Sequence, residues 1–383
     1  MKVSSICITN FKGKIIDAHV HSGEWKDKLK GENALRDYTP DIAIFTTKPL
    51  KNGDTVEKII VSNLECLEHF EKDKKRTFLK DEIAGNKTLL EYAKTNSKVA
   101  PLAVCQPGYG SVENIRTLLI ESPNTFVGFK FHPNDLNIPA NDAVYEPYMQ
   151  LAREYKMPCL FHSENTVNVM KNATEVASKA SEVARPDQIL KLAEKFPDVP
   201  VIMAHWGGSG SENYKYVTDI IVDSKKNNKA KIYADISWID CNESAKSNLK
   251  NIIKKLKEEK CLDRMLFGTD APIGRFGGQG GNGVSAYDAY SNLVDDIKNM
   301  IKKEFPEEAE QIIDDIFYNN AKKLFFERPE APTVNPGNSF SKLKVGAIAF
   351  GAIAITAGLI GLVNQSKKMK EVSLQEQGLN ALA

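Results

Sequence analysis

Several features that would assign a chain of 383 residues to a common class are missing from this sequence. Its six cysteines are scattered and form no C-x-x-C pair, so a zinc ribbon or a disulfide scaffold is not expected. We interpret them as reduced thiols of a cytosolic protein. The 51 basic and 50 acidic residues nearly cancel, which gives no support for nucleic-acid binding. Residues 1–10 hold no apolar run of the length of a secretory signal.

What the sequence does contain is a repeated alternation of β-rich and helix-compatible segments. Eight short runs rich in Val, Ile, Leu and Phe begin 28 to 43 residues apart, a spacing that suits βα units. They lack strict alternation, as is typical of parallel strands buried on both faces. The runs are Lys14–His19, Glu57–Ser62, Lys98–Val104, Phe126–Phe131, Met157–Phe161, Pro200–Ala204, Lys231–Ile236 and Arg264–Gly268.

Eight strands that alternate with helices predict an α/β fold, the (β/α)8 TIM barrel. An open nucleotide-binding sheet would require a glycine fingerprint after an early strand, and the turn at residues 21–24 has none. The glycine-rich stretch Gly277–Gly283 is either a surface loop or a lid over the site. The predicted helices include Leu89–Thr95, Tyr145–Tyr155, Pro186–Phe196, Ser244–Glu259 and a final helix over Pro306–Phe326.

Five of the six histidines lie at or just after the ends of these runs, and one of them is His132, after the fourth run. His19 and His21 end the first run, His162 the fifth and His205 the sixth, whereas His69 lies in a charged, helix-like stretch and is expected at the surface. Residues i and i+2 of a strand share a face, so the first two imidazoles can hold one ion. A buried imidazole is costly without partners, and the carboxyl ends of barrel strands carry the chemistry.

Two aspartates belong to the same pattern. Asp270 follows the eighth run, where a carboxylate is costly unless it binds a cation or accepts hydrogen bonds, so it is a candidate ligand, general base or both. Asp17 lies two positions before His19 on the same predicted face. We expect it to orient a histidine ligand, with direct metal binding as the alternative.

In order along the chain, these motifs are D-x-H-x-H, G-x-K-x-H-P, two strand-end histidines and G-T-D-x-P. The set resembles the amidohydrolase superfamily, in particular the branch that contains aminocarboxymuconate-semialdehyde decarboxylase and other metal-dependent hydrolases of amidohydrolase family 2. The resemblance extends over about residues 14–327. It includes Asn320–Phe325, which is similar to the closing helix of that branch.

The resemblance implies a site with one divalent metal, zinc first, with manganese or iron as alternatives, and no second metal. His19, His21, His162 and Asp270 would be its ligands, with His205 beside the bound water or substrate. A metal with an open position supplies hydroxide at neutral pH. Asp270 would then take the proton from water, while His205 would polarise the substrate or stabilise an oxyanion.

Further residues are candidates for contacting a small-molecule substrate, which we expect to be acidic. Lys130, two positions before His132, is interpreted as a substrate-carboxylate contact, with a structural ion pair or a carbamylated, metal-bridging lysine as alternatives. Arg275, and less strongly Arg185, could pair with an acidic group. Trp206 either lines the pocket or packs against the strands.

The C-terminal part of the chain differs from the barrel, which we place at residues 1–327. Residues 328–344 are Pro-rich and predict a linker. Val345–Val363 runs 19 residues without a charge and predicts a transmembrane helix, followed by a polar tail over residues 364–383. Small residues four apart in this run permit close helix packing. We therefore expect a cytoplasmic catalytic domain with a membrane anchor, with a helix packed on the barrel or between protomers of a homo-oligomer as the alternative.

Three functions fit these residues. The leading prediction is a metal-dependent hydrolase of an amide, ester or lactone. A non-oxidative decarboxylase or hydratase with the same metal ligands is the alternative, because the fold hosts both chemistries. A membrane-tethered scaffold with a vestigial barrel ranks last, since the full set of ligands is present.

Overall fold

The computed structural model describes residues 13–26, 34–67, 69–72, 75–164, 182–208, 211–237, 243–273 and 285–329. These lie in the first of two units of the chain, Met1–Ala331 and Pro332–Ala383. Arg275, the Gly277–Gly283 stretch, the linker from residue 330 onward, the hydrophobic run and the tail fall outside the described residues, and what was predicted for them stays a prediction. Within the described part, none of the helices is long and apolar enough to span a bilayer.

Eight parallel strands form one continuous sheet in chain order. Backbone hydrogen bonds join the first strand to the segment around the last, from Ala18 N to Phe267 O (2.9 Å) and from His21 N to Ala271 O (2.7 Å). The predicted (β/α)8 barrel is confirmed. The strands are β1 (Lys14–Ser22), β2 (Thr55–Asn63), β3 (Val99–Val104), β4 (Gly128–Phe131), β5 (Cys159–Phe161), β6 (Pro200–Met203), β7 (Lys231–Asp235) and β8 (Met265–Leu266).

Side chains of the strands fill the barrel interior. Each strand carries apolar residues on both faces, so one face meets the other strands and the other face meets the helices. Burying one such side chain contributes about 1.5–3 kcal/mol. The interior cluster takes at least one buried residue from most strands and is joined by the closing helix through Leu324 and Phe325; it includes Ile16, Ile60, Leu102, Leu160, Ile202 and Leu266.

At least one helix follows each strand, and several begin at a side-chain cap. Asp81 accepts from the N–H groups of Ile83 and Ala84, so the second helix begins at Glu82, seven residues before the predicted start. The helices are α1 (Thr39–Thr47), α2 (Glu82–Thr95), α3 (Val112–Glu121), α4 (Glu146–Tyr155), α5 (Pro186–Lys195), α6 (Ser211–Lys226), α7 (Glu243–Glu258) and α8 (Ala286–Glu304). The predicted final helix comprises Ala309–Asp314, a π-helical segment at Asp315–Asn319, and Asn320–Phe325.

Two antiparallel hairpins interrupt the loops after β1 and β2. One pairs Glu24–Lys26 with Leu35–Asp37, and the other pairs His69–Lys72 with Lys75–Phe78. The helix-like interpretation of the stretch around His69 is therefore wrong, since pairing with a partner strand overrides the local helical pattern. Arg76 of the second hairpin donates to the backbone carbonyl of Asn134 at 3.0 Å and so ties this insertion to the loop after β4.

Candidate metal centre

Seven ionisable side chains meet at the carboxyl ends of the barrel strands. Enzymes of this fold carry their active sites at this end. Sequence analysis singles out all of them except Asp235. They are His19 and His21 in β1, Lys130 in β4, His162 directly after β5, His205 after β6, Asp235 at the end of β7 and Asp270 after β8.

Three of these residues place donor atoms around one point. His21 Nε2 lies 2.8 Å from Asp270 Oδ1, and His19 Nε2 lies 3.2 Å from the same oxygen. Each of the three offers a ligand atom within 4.8 Å of the others, so one cation can touch all three. Two imidazole nitrogens and a carboxylate oxygen are a typical donor set for zinc and related divalent metals.

The outer nitrogens of both histidines have their own partners. His19 Nδ1 lies 3.1 Å from Asp235 Oδ2, and His21 Nδ1 lies 2.8 Å from Ser62 Oγ. A hydrogen bond at the outer nitrogen fixes the orientation of the ring and directs the inner Nε2 to the metal. The residues of the centre therefore fit a divalent metal.

The protonation states agree with this fit. Burial lowers the pKa of His21 to about 3, although Asp270 opposes the shift. Burial alone would raise the pKa of Asp270, but the nearby His19, His205 and His21 outweigh it and hold that pKa well below its ordinary range. At neutral pH, His21 is thus neutral and Asp270 ionised, which are the forms that bind metal.

The backbone turns sharply where the chain leaves β6 and β8. The angle φ is +58° at His205, +50° at Trp206 and +58° at Asp270, in the left-handed region that L residues seldom adopt. The N–H of Asp270 donates to the carbonyl of His19 at 2.8 Å. Such conformations cost of order 1–3 kcal/mol and cluster at functional sites.

His205 lies beside the three donor atoms. Its ring centroid is 5.0 Å from that of His19, its Nδ1 lies 2.8 Å from Ser237 Oγ, and its Nε2 lies 3.2 Å from His162 Nδ1. Burial lowers the pKa of His205 well below its ordinary value, against the effect of Asp270. The imidazole is therefore neutral at rest.

His162, predicted as a ligand, is placed slightly outward from this group. It contacts His205, stacks on His132 with centroids 4.0 Å apart, and has Nε2 3.5 Å from Glu164 Oε2. The two groups whose donor atoms lie within metal-binding range, namely His19–His21–Asp270 and His19–His205–Asp235, do not include it.

Lys130 lies deeper in the barrel than His132. Lys130 is fully buried, with Nζ 2.9 Å from His19 Nε2, and burial lowers its pKa to about 8 against the nearby aspartates. His132 lies nearer the surface, where its Nδ1 is 2.7 Å from Asp135 Oδ2. Lys130 thus reaches the same space as the three donor atoms, and His132 does not.

Alternation along β1 predicts that the Asp17 side chain shares a face with His19, but it points to another part of the barrel. Its carboxylate accepts from the backbone N–H of His19 (3.2 Å), from Thr269 Oγ1 (2.6 Å) and from Tyr290 OH (3.1 Å). The pairing register of β1 with β2 shifts between Asp17 and Val20, which breaks the two-residue period. Asp17 thus supports the β1 backbone and joins it to the segment before Asp270.

Two candidate substrate contacts have partners of their own. Trp206 is fully buried, and its Nε1 donates to Thr218 Oγ1 of α6 at 3.1 Å, so the indole packs against that helix. Arg185 pairs with Asp187 at the start of α5, with Nε 2.9 Å from Oδ1.

Sequence reasoning missed Asp235, Ser237 and Ser62. The signal for the first two was present, because polar residues in Tyr233-Ala234-Asp235-Ile236-Ser237 end the seventh run just as histidines end the others. Ser62 ends the second run, but a lone serine there is too common to stand out.

Comparison with known sequences decides the family. The Amidohydrolase family profile matches residues 86–326, well over half of the chain. The chain belongs to the amidohydrolase family. The matched part contains Lys130, His162, His205, Asp235 and Asp270. The comparison with curated proteins gave no match.

Solved structures share the fold of this amidohydrolase at low sequence identity. One is 2,6-dihydroxybenzoate decarboxylase from Rhizobium, 15% identical, with a TM-score of 0.52 over 82% of this chain and 98% of that one. A protein from Staphylococcus aureus inferred to be an amidohydrolase has 15% identity and a TM-score of 0.53, over 82% and 99%. A protein from Pseudomonas putida inferred to be a 2-pyrone-4,6-dicarboxylic acid hydrolase is 13% identical, with a TM-score of 0.51 over 81% of this chain and 97% of that one.

Proposed function

We propose that this chain is a metal-dependent hydrolase that cleaves an amide, ester or lactone in a small molecule. The observation that carries the proposal is the convergence of His19 Nε2, His21 Nε2 and Asp270 Oδ1 on one point at the mouth of the barrel. We infer that these residues, with His162, hold one divalent metal. The metal would act as a Lewis acid and make a bound water nucleophilic near neutral pH.

The protein's own groups complete the chemistry. Asp270, an ionised carboxylate at the centre, would take the proton from the attacking water. His205, whose Nε2 lies 3.2 Å from His162, is the group proposed to contact the reacting oxygen of the substrate. The barrel strands hold both side chains in a buried setting, where such contacts are stronger than in water.

A second candidate is a non-oxidative decarboxylase acting on a small carboxylic acid. The observation in its favour is Lys130, a buried cation 2.9 Å from His19 Nε2 that could pair with a substrate carboxylate. In the decarboxylase complex among the similar structures, the ligand is 2,6-dihydroxybenzoate, a small aromatic acid. Since that protein is 15% identical, it supports the candidate only through the shared fold.

The first test is the metal content of the purified protein. We expect close to one equivalent of zinc, manganese or iron per chain by elemental analysis, and loss of activity after dialysis against a chelator, restored by the same metal. Full activity in metal-free protein would overturn the proposed function.

The two chemistries are then separated on a panel of small amides, esters, lactones and carboxylic acids. A hydrolase incorporates oxygen from ¹⁸O-labelled water into its organic product, whereas a decarboxylase releases carbon dioxide and leaves the organic product without the label. Carbon dioxide release alone would replace the leading candidate by the second.

We also propose that residues 345–363 anchor the barrel to a membrane. We expect the full-length chain to sediment with membranes and a variant ending at residue 329 to remain in the supernatant, because the apolar run has the length of a bilayer-spanning helix. Full-length protein that stays in a low-salt, detergent-free supernatant would contradict the anchor.

A further inference from the structure

The buried carboxylate of Asp235 contacts both His19, a proposed metal ligand, and His205, the proposed substrate-facing residue. Asp235, at the end of β7, has no exposed surface. Its Oδ2 lies 3.1 Å from His19 Nδ1, and its Oδ1 accepts from the backbone N–H of His205 at 3.2 Å. The two oxygens of this carboxylate are thus divided between the two histidines.

Ser237 extends the contact to the His205 ring. Its N–H donates to Asp235 Oδ1 at 3.1 Å, its hydroxyl contacts the same oxygen, and its Oγ lies 2.8 Å from His205 Nδ1. The result is a continuous series of hydrogen bonds from the imidazole of His205 through Ser237 to Asp235, and from there to the imidazole of His19.

The available protons fix the direction of these bonds. An ionised carboxylate only accepts, so His19 must carry its proton on Nδ1, which leaves the lone pair of Nε2 to accept from Lys130 Nζ at 2.9 Å or to bind the metal. Ser237 has one hydroxyl proton, and the bond to the anionic carboxylate is the stronger use of it. The Ser237 oxygen therefore accepts from His205 Nδ1–H, and His205 Nε2 is unprotonated.

We propose that Asp235 is a positioning residue that sets the tautomer and orientation of His19 directly, and of His205 through Ser237. This role of Asp235 rests on the proposed function, since His19 must bind a metal for its tautomer to matter. It also deepens that function, because His205 then meets the substrate as a proton acceptor. His205 becomes a donor to a developing oxyanion only after it receives the proton that Asp270 removes from the attacking water.

The test compares zinc binding by three variants of the full-length chain. Asp235→Asn removes the charge with little change of shape, and Ser237→Ala removes the hydroxyl that joins Asp235 to His205 and also lies 3.5 Å from His19 Nδ1. Ser291→Ala is a control that removes a buried hydroxyl with no hydrogen-bond partner among the described residues. We expect Asp235→Asn to bind Zn²⁺ about 10–100-fold more weakly in competition with a chelating dye. Ser291→Ala should match the unmodified protein, and Ser237→Ala should lose less affinity than Asp235→Asn.

Each outcome has one meaning. If the unmodified chain binds none of Zn²⁺, Mn²⁺ and Fe²⁺, the proposed function fails. If that chain binds Zn²⁺ and Asp235→Asn binds it equally well, the role of Asp235 fails. Uptake of a second equivalent that Asp235→Asn loses would make Asp235 a ligand with His19 and His205, and would also overturn the positioning role.

A second measurement begins with the unmodified protein. In the zinc-loaded protein with ¹⁵N-labelled histidine, we expect protons on Nδ1 of both His19 and His205. The Ser237→Ala change should shift the ¹⁵Nδ1 resonance of His205 more than that of His19, whose Nδ1 keeps its contact with Asp235. A proton on Nε2 of His205 in the unmodified protein would overturn the assignment.

Discussion

Replacing Asp270 with asparagine is expected to lower turnover by about 10²–10⁴-fold, the range associated with loss of a positioned acid–base group. The amide keeps the shape of the carboxylate but cannot take a proton from water. Asp270 Oδ1 lies 2.8 Å from His21 Nε2 and 3.2 Å from His19 Nε2, and an amide oxygen at that point is a weaker metal ligand than a carboxylate oxygen. Zinc affinity should therefore fall as well. Turnover is measured on whichever substrate the panel identifies, and affinity by dye competition.

The matched control for this change is Asp198→Asn. Asp198 pairs with Arg153 on the exposed surface, and exposed pairs contribute at most about 1 kcal/mol. Turnover and zinc content should be unchanged there, and circular dichroism should show the same fold for all proteins. Near-normal turnover in Asp270→Asn would remove Asp270 from the role of base.

Replacing His205 with asparagine should separate chemistry from metal binding. We expect turnover to fall by about 10²–10³-fold, as when one group that stabilises the transition state is removed, while the protein keeps one equivalent of zinc. The reason is geometric: His19, His21 and Asp270 contact one another without His205.

Metal analysis of the His205→Asn protein decides between two roles for this residue. Retained zinc with lost turnover supports a substrate-facing group. Loss of zinc in parallel with turnover would make His205 a ligand. His69→Asn serves as the control, because the backbone of His69 belongs to the strand His69–Lys72 of the hairpin after β2.

The barrel could be predicted because its pattern is repeated eight times. At nearly all of their ends, the predicted runs match the strands to within about two residues. Closure follows from the number of strands and their parallel order. Polar residues at strand ends must meet at one edge of a parallel barrel, so the grouping of His19, His21, His205 and Asp270 also follows from sequence.

What could not be predicted depends on backbone detail. The register shift in β1 turns Asp17 toward Thr269 and Tyr290, and no local pattern marks that shift. The partnership of Asp235 with His19 joins residues 216 positions apart, so only the closed barrel brings them together. Likewise, the left-handed conformation at Trp206 directs the indole to α6, although its neighbour His205 faces the centre.

The left-handed backbone at His205 and Asp270 has a consequence for protein engineering. Glycine adopts φ near +58° without the penalty of an L side chain, so a library selected for heat resistance alone would favour glycine at both positions. Such variants would relieve the backbone strain by discarding the two side chains that we propose to do the chemistry. Thermostability and catalysis therefore pull in opposite directions at these positions, and selection for one must be paired with a screen for the other.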